Sequence, residues 1–495
     1  MPLITQLEPN ASVLRHRDMI LRDLTALAEP GTVLAQIEAR RTFETDGLPA
    51  YRCMPFCVLL PRTTEEVSRL LAYCNANEVK VVPRGAGTSL SGGALPTEDA
   101  AVLCLSRMSR LLEVDFDNRF ARVEAGMTNQ AISEAVGPDY FYAPDPSSQL
   151  ACSIGGNIAM NSGGAHCLRY GVTTQNLLGV KMALINGDII ELGGTFLDAP
   201  GYDLLGLITG SEGQLGVVTE ATVRILRKAE GARPLLMGFN SSEAAGACVS
   251  SIIASGVMPV AIEFMDRPAI KVCEDYAKAG YPLDVEAMLI IEVEGAETEI
   301  EGQINLIVGM AKQHEPAVIR ISRSEAESAA IWKGRKAAFS AIGRISDYVC
   351  MDGTIPLSTL SQTLTAIGKI CADAGFKVAN IFHAGDGNLH PLILYNANAP
   401  GELERVEHCG ADILKHCVAV GGCLTGEHGV GIEKRDLMPL QFTPVDIAQQ
   451  MRLKTVFDPH WLLNPSKVFP LGSRFRRSPD LGDSSPSELR DQGGH

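Results

Sequence analysis

A chain of 495 residues exceeds one ordinary hydrophobic core and implies two or three domains, while 46% hydrophobic and 20% charged residues describe a globular protein. A net charge of −15 excludes the Lys/Arg stripe of a nucleic-acid or anionic-membrane surface, and no apolar run reaches the roughly 18 residues of a spanning helix. Without a signal-peptide pattern, and with 13 scattered cysteines that form neither a CxxC pair nor a ferredoxin-type spacing, the chain reads as cytoplasmic and as carrying no iron–sulfur cluster of its own.

Leu14, Leu21, Leu24, Leu27 and Leu34 give residues 11–40 the spacing of an amphipathic helix, within an N-terminal helical segment over residues 1–50. Cys57–Leu60 then reads as a strand, Thr63 with Glu66 has the spacing of a capping box, the helix it starts runs to Asn77, and Val79–Val82 is the next strand. This β-α-β unit leads into Pro83-Arg-Gly-Ala-Gly-Thr-Ser-Leu-Ser-Gly-Gly93. Such a loop exposes backbone N–H groups backed by small hydroxyls, the usual cradle for phosphate oxygens. It is not the dinucleotide fingerprint, whose third glycine would fall at Leu90, nor the nucleoside-triphosphate loop, which needs Gly-Lys-Ser/Thr. The loop reads either as a pyrophosphate site outside both folds or as a glycine-rich turn without a ligand.

Arg122–Glu124 and Thr128–Val136 form a further strand and helix. Pro144-Asp-Pro-Ser-Ser148, Ile154-Gly-Gly-Asn157, Asn161-Ser-Gly-Gly164 and Gly210-Ser-Glu-Gly213 follow, with Gly216-Val-Val-Thr219 after them. Repeated glycine clusters of this kind suit backbone packed against a flat polar ligand. A strand at Ala221–Leu226 closes this half, and the domain boundary falls near Arg227–Arg233. Beyond it Met288–Glu294 reads as a strand and Glu297–His314 as a helix.

Val378–Phe382 and Leu392–Leu394 read as strands around His383-Ala-Gly-Asp-Gly-Asn-Leu-His390, with Asp386-Gly387 as a two-residue turn. That register sets His383 opposite His390 on one face, as half of a metal site or as two packed imidazoles. His408 and His416, on a helix over 402–420, stand more than two turns apart and do not share an ion. Glu427 and His428, between Gly426 and Gly429, supply a carboxylate that would complete a His₂Glu set for zinc, manganese or iron. A flavin-free metallohydrolase built on His383, His390 and Glu427 is the rival from another class, and it leaves the glycine clusters unexplained.

The loop at Pro83–Gly93, the segments Pro144–Gly164 and Gly210–Glu220, and His383–His390 resemble the FAD-linked oxidase family of the vanillyl-alcohol oxidase and p-cresol methylhydroxylase superfamily, in its glycolate oxidase branch. The resemblance runs nearly to Phe469. It implies an α+β chain: a two-part FAD-binding domain of the p-cresol methylhydroxylase type over 51–229, then an α+β substrate or cap domain with an antiparallel sheet over 230–470. Residues 471–495, rich in Ser, Pro, Gly, Asp and Arg, read as a disordered tail.

The same resemblance implies FAD bound without a covalent link, since the first glycine loop has no histidine. Pro83, Arg84, Gly85, Ala86, Gly87, Thr88 and Ser89 would hold the pyrophosphate, and Pro144, Ser147, Gly155, Gly156, Asn157, Asn161 and Gly164 would line the flavin. Val217 and Val218 would meet the adenine or ribityl end. Asn464-Pro-Ser-Lys467 would return to the flavin, with Ser466 where the family has glycine. The implied activity is oxidation of a small 2-hydroxy acid, glycolate or D-lactate, to the 2-oxo acid. Arg335 would clamp its carboxylate, His383, His390 and Glu427 would hold a divalent metal, and His428 would take the hydroxyl proton. Phe339 and Cys350-Met351 replace the threonine and lysine that hold a second carboxylate in 2-hydroxyglutarate relatives, which favours a monocarboxylate. Electrons would leave through an iron–sulfur partner subunit of a glycolate oxidase complex, with membrane contact only through partners; a self-sufficient D-lactate dehydrogenase is the nearest alternative.

Overall fold

The computed structural model describes residues 7–196 and 201–471; the segment expected as a tail lies, but for Leu471, outside them. The first sheet joins Val33–Leu34, Cys57–Leu59, Ala100–Cys104 and Lys80–Arg84, with parallel pairing among the last three. Cys57–Leu59 and Ala100–Cys104 are buried at every residue, as parallel strands covered on both faces must be. Thr63 caps the helix Thr64–Ala76 as its spacing predicted, accepting from the Glu66 N–H at 3.1 Å. The long N-terminal helix does not form as one piece. Ala11–Arg15, Arg17–Leu27 and Ile37–Arg41 are separate helices, and Val33–Leu34 between them joins the sheet.

A five-stranded antiparallel sheet, in the order Leu111–Asp115, Phe120–Glu124, Val217–Arg224, Leu177–Ala183, Ile189–Gly193, completes the first half. Its central strand Val217–Arg224 alternates buried and half-buried residues, the period of a sheet with one covered face.

The second half is built on a seven-stranded antiparallel sheet: Val318–Ile321, Gly231–Phe239, Ala287–Gly295, Ala261–Asp266, Lys377–His383, Pro391–Tyr395, Asp347–Cys350. Helices cover both faces. Leu235, Met237, Phe264, Leu289 and Ile291 point to a core shared with the helices Ser242–Ala254, Glu297–Ala311, Leu360–Ala374 and Glu402–Ala419. Their neighbours Leu236, Met265, Met288, Ile290, Ile381 and Leu392 pack beneath Arg267–Ala277 and Glu325–Lys336. Because side chains alternate along a strand, Glu263, Glu292, His383 and His390 share this second face. These polar residues turn that face towards the first half.

The chain closes on itself at its C-terminal end. The Val81 N–H donates to Leu462 O at 2.8 Å and the Asn464 N–H to Val81 O at 2.7 Å, so residues 462–464 lie beside the strand Lys80–Arg84. Among the described residues no helix is long and apolar enough to cross a membrane.

Candidate active site

A cavity of about 370 Å³ lies between the halves. One end is the glycine loop. Gly87 takes φ +77°, which a side chain resists, and a Cβ on Gly85 would fall 2.0 Å from Ser153 Oγ, which already caps the helix Ile154–Met160. A Cβ on Gly155 would stand 3.0 Å from Ala125 O. These glycines are packed too closely on their neighbours to carry a side chain, and the bare backbone they leave along the cavity fits a pyrophosphate and flavin.

Pro83, Arg84, Gly85, Ala86, Gly87, Thr88, Ser89, Ser147, Gly155, Gly156, Asn157, Val217, Val218 and Asn464 all line this cavity. Pro144, Asn161 and Gly164 do not, and each has a structural task instead. Pro144 O accepts from Asn129 Nδ2 at 2.9 Å. Asn161 ends a helix at φ +52°, and its Oδ1 accepts from the Thr174 N–H. Gly164 lies so close to Asp145 that a Cβ would stand 2.3 Å from its carbonyl oxygen. Asn464 Nδ2 donates to Gly93 O at 2.9 Å and Glu212 O at 2.6 Å, tying the C-terminal segment to two glycine clusters.

The other end of the cavity holds the histidines. Asn380 pairs with Pro391, and His383 with Asn388, two residues away from the expected register. The loop between them is longer than a two-residue turn; only Gly387 is left-handed, at φ +75°, while Asp386 Oδ1 accepts from the Asn388 N–H at 3.1 Å. A slip of two preserves the face of every side chain. His383 and His390 therefore still meet, with ring centres 5.2 Å apart and planes at 81°.

Glu427 and His428 lie on an irregular segment held by two buried carboxylates. Asp352 accepts the N–H groups of Gly426, Glu427 and His428 at 3.0, 3.1 and 2.9 Å, and Glu212 accepts those of Val430 and Gly431 at 2.6 and 2.8 Å. Gly429 and Gly431 permit the bends, at φ +84° and +52°. Glu427 Oε1 thereby stands 3.5 Å from His383 Nε2, 3.4 Å from His390 Nε2 and 4.0 Å from His428 Nε2. The His390 and His428 rings stack 4.9 Å apart.

Two groups have the compactness of a cation site: His383 with His390 and Glu427, and Asp352 with His390 and His428. The first fits a metal better. The oxygens of Asp352 are already engaged by backbone N–H groups, by Thr425 Oγ1 and by Lys434 at 3.7 Å. Both ring nitrogens of His390 are buried without a hydrogen-bond partner, and His383 Nδ1 is fixed by Glu263 at 2.7 Å, leaving Nε2 for a ligand.

The electrostatics agree. Burial would lower the His383 pKa, but Glu263 and Glu427 hold it well above the usual range, the same negative field that would favour a bound cation. Burial would raise Glu427, yet His383, His390 and His428 bring it to about 2. Burial, aided by His390, pushes His428 down to about 4 against the pull of Asp352 and Glu427, leaving a neutral base at pH 7.

Arg335 is not brought into the cavity wall. Its guanidinium, 4% exposed, pairs with the fully buried Glu263 at 2.6 Å, so the direct carboxylate clamp expected of it gives way to a link through Glu263 to His383. Phe339 lines the cavity, whereas Cys350 and Met351 belong to the core. His408 donates to Glu404 O within its own helix, away from both cation groups. Glu263 and Asp352 escaped the sequence reading. An acid flanked by Ile262 and Phe264 inside the buried strand Ala261–Asp266 was a signal for Glu263, since buried charges are kept only when paired. Nothing near Asp352 offered a comparable one.

Residues 55–193 match the FAD binding domain family and residues 228–468 the family of FAD linked oxidases, C-terminal domain. The chain is 49% identical over 430 residues to the glycolate oxidase subunit GlcD of Escherichia coli K12, covering 86% of each chain. It is 30% identical over 453 residues to a D-lactate dehydrogenase of Anaerostipes hadrus, covering 89% of this chain and 95% of that one. The structure of p-cresol methylhydroxylase with substrate bound superposes with a TM-score of 0.78 at 15% identity, over 94% of this chain and 99% of the other.

Proposed function

The chain belongs to the FAD-linked oxidase family, and from that premise we propose that it oxidises a small 2-hydroxy acid, glycolate foremost, to the 2-oxo acid. The observation that carries the reading is that His390, Glu427 and His428 line the same cavity as the glycine cradle. The E. coli relative named as a glycolate oxidase subunit supports glycolate, and the D-lactate dehydrogenase relative supports D-lactate as a second substrate.

Bound FAD supplies the hydride acceptor. The residues of this chain supply the rest. Pro83–Ser89, Gly155 and Gly156 keep backbone and small side chains against the cofactor. His428 receives the substrate hydroxyl proton at Nε2, the nitrogen facing Glu427 at 4.0 Å; its low pKa leaves it unprotonated and ready at neutral pH. Asp352 positions it through the backbone and holds the positive charge it acquires. His383, His390 and Glu427 would hold a divalent cation, which supplies a Lewis acid for an oxygen of the substrate. Arg335 steadies Glu263, and so the ring of His383.

We further propose that a partner subunit carrying an iron–sulfur cluster removes the electrons, and that the enzyme works in the cytoplasm, reaching a membrane only through such partners. The subunit in the relative's name supports a multi-subunit assembly. Anaerobic titration of the yellow holoenzyme with glycolate, both lactate enantiomers and 2-hydroxyglutarate tests the substrate. Bleaching by glycolate is expected, and a flavin left oxidised by all four acids would refute the reading. Purified alone, the chain should reduce artificial dyes but not quinones; quinone-linked turnover without a partner would count against the assembly.

A further inference from the structure

The wall that carries His390, Glu427 and His428 also carries a cation that the mechanism above does not use. Lys336 is the last residue of the helix Glu325–Lys336, and Phe339 and Ser340 follow on the helix Ala338–Gly343; all three line the cavity with Tyr348. Ala337 alone separates the two helices, and Lys336, Phe339 and Ser340 meet on one wall of the cavity. The Phe339 ring stands 6.4 Å from His390 and 6.1 Å from Tyr348, which sets that wall against the histidines.

Among the described residues, Arg84 and Lys336 are the Lys and Arg side chains that line the cavity. Arg84 belongs to the glycine loop and donates to Thr45 O at 2.7 Å. Arg335, next to Lys336 in sequence and about 100° from it around the helix, is engaged by Glu263. Lys336 has no carboxylate partner among the described residues. Its Nζ stands 6.0 Å from the ring centre of Trp332, itself anchored by an indole N–H to Glu292 at 2.9 Å. The ammonium, on an exposed residue beside an aromatic ring, is thus free of a protein carboxylate and open to an anionic ligand.

A 2-hydroxy acid enters as an anion, so its carboxylate requires a cation at the wall that receives it. We propose that Lys336 is that cation: its ammonium binds the substrate carboxylate, Ser340 and Tyr348 offer hydroxyl hydrogen bonds beside it, and the Phe339 ring limits the pocket to a short side chain. This assignment rests on the 2-hydroxy-acid reading and replaces the direct role expected of Arg335.

The test compares wild-type holoenzyme with Lys336→Met and Lys336→Arg. Oxalate, which carries carboxylates but no carbon-bound hydrogen, is titrated against the flavin spectrum, and glycolate is used for anaerobic reduction. A charge-assisted hydrogen bond makes an expected difference of about ten- to hundred-fold. Lys336→Met should bind oxalate that much more weakly with FAD content unchanged and raise the half-saturating glycolate concentration by a similar factor, while the limiting reduction rate falls far less. Lys336→Arg should recover most of the oxalate affinity. Wild-type oxalate binding by Lys336→Met would overturn the assignment. If the wild-type enzyme binds oxalate yet is not reduced by glycolate, the 2-hydroxy-acid reading fails, while the oxalate comparison still decides the role of Lys336.

Discussion

Glu263 holds His383 and Arg335 at once: one carboxylate oxygen meets His383 Nδ1 at 2.7 Å and the other meets the Arg335 guanidinium at 2.6 Å, with all three side chains buried. Burial would raise the Glu263 pKa, but Arg335 and His383 bring it below the ordinary carboxylate value. Its charge is therefore a structural requirement of the site. Replacing Glu263 by Gln leaves Arg335 buried without a counterion, a loss of about 3–5 kcal/mol. Thermal or urea denaturation should show that loss. Metal analysis of the purified variant should show cation affinity weakened by about 10–100-fold, because His383 loses the partner that orients it. Unchanged stability would mean that the pair does not carry the load assigned to it.

His428→Ala separates binding from chemistry. The residue meets the glycine loop through its backbone carbonyl, which accepts from Ser91 Oγ at 3.0 Å and is kept in alanine, so the variant should purify yellow with full FAD content. Anaerobic mixing with glycolate should then reduce the flavin about 10² to 10⁴ times more slowly than in wild type, the usual contribution of a positioned base. Rapid bleaching would remove His428 from the mechanism.

His166 joins the two halves. Its Nδ1 meets Asp145 at 2.6 Å and its Nε2 meets Glu292 at 2.8 Å, with Arg169 and Glu294 close by. Burial would lower its pKa, but Asp145 and Glu292 raise it well above the usual histidine value. A histidine raised on folding contributes stability that is complete below its unfolded pKa, about 6.5, and is lost as pH rises through the folded value. The wild-type advantage over His166→Gln in denaturation midpoint should thus be largest near pH 6 and shrink in alkaline buffer. An advantage that grows with pH would contradict the ion trio.

Sequence legibility followed the range of the interactions. Thr63 caps its helix by accepting the N–H of Glu66, three residues on, and that role was readable from spacing. The hairpin was placed correctly but paired two residues out, because the longer loop depends on the Asx contact of Asp386 and on packing, not on the Asp-Gly dipeptide. The shared face of His383 and His390 survived because an even slip keeps the pleat. Arg335 and Lys336 were harder. They are adjacent on one helix, about 100° apart around its axis, and the choice of which faces the cavity is made by Glu263, some 70 residues earlier in the chain. Asp352 acts on Glu427 and His428 from a similar sequence distance.

Ser466, where the resemblance implies glycine, has a left-handed backbone at φ +68°, with the hydroxyl buried and without a hydrogen-bond partner. A left-handed residue with a Cβ costs about 1–2 kcal/mol, and glycine gives back part of that gain through the extra freedom of its unfolded chain. Removing the unpaired hydroxyl adds to the benefit. Ser466→Gly should therefore stabilise the protein by about 1 kcal/mol, seen as a higher urea midpoint at unchanged slope. Two residues away, Asn464 lines the cavity and its side-chain amide ties the segment to Gly93 O and Glu212 O, bonds that the change does not remove. FAD affinity should accordingly stay at the wild-type value. A destabilised Ser466→Gly would show that the segment is held by the serine side chain and not in spite of it.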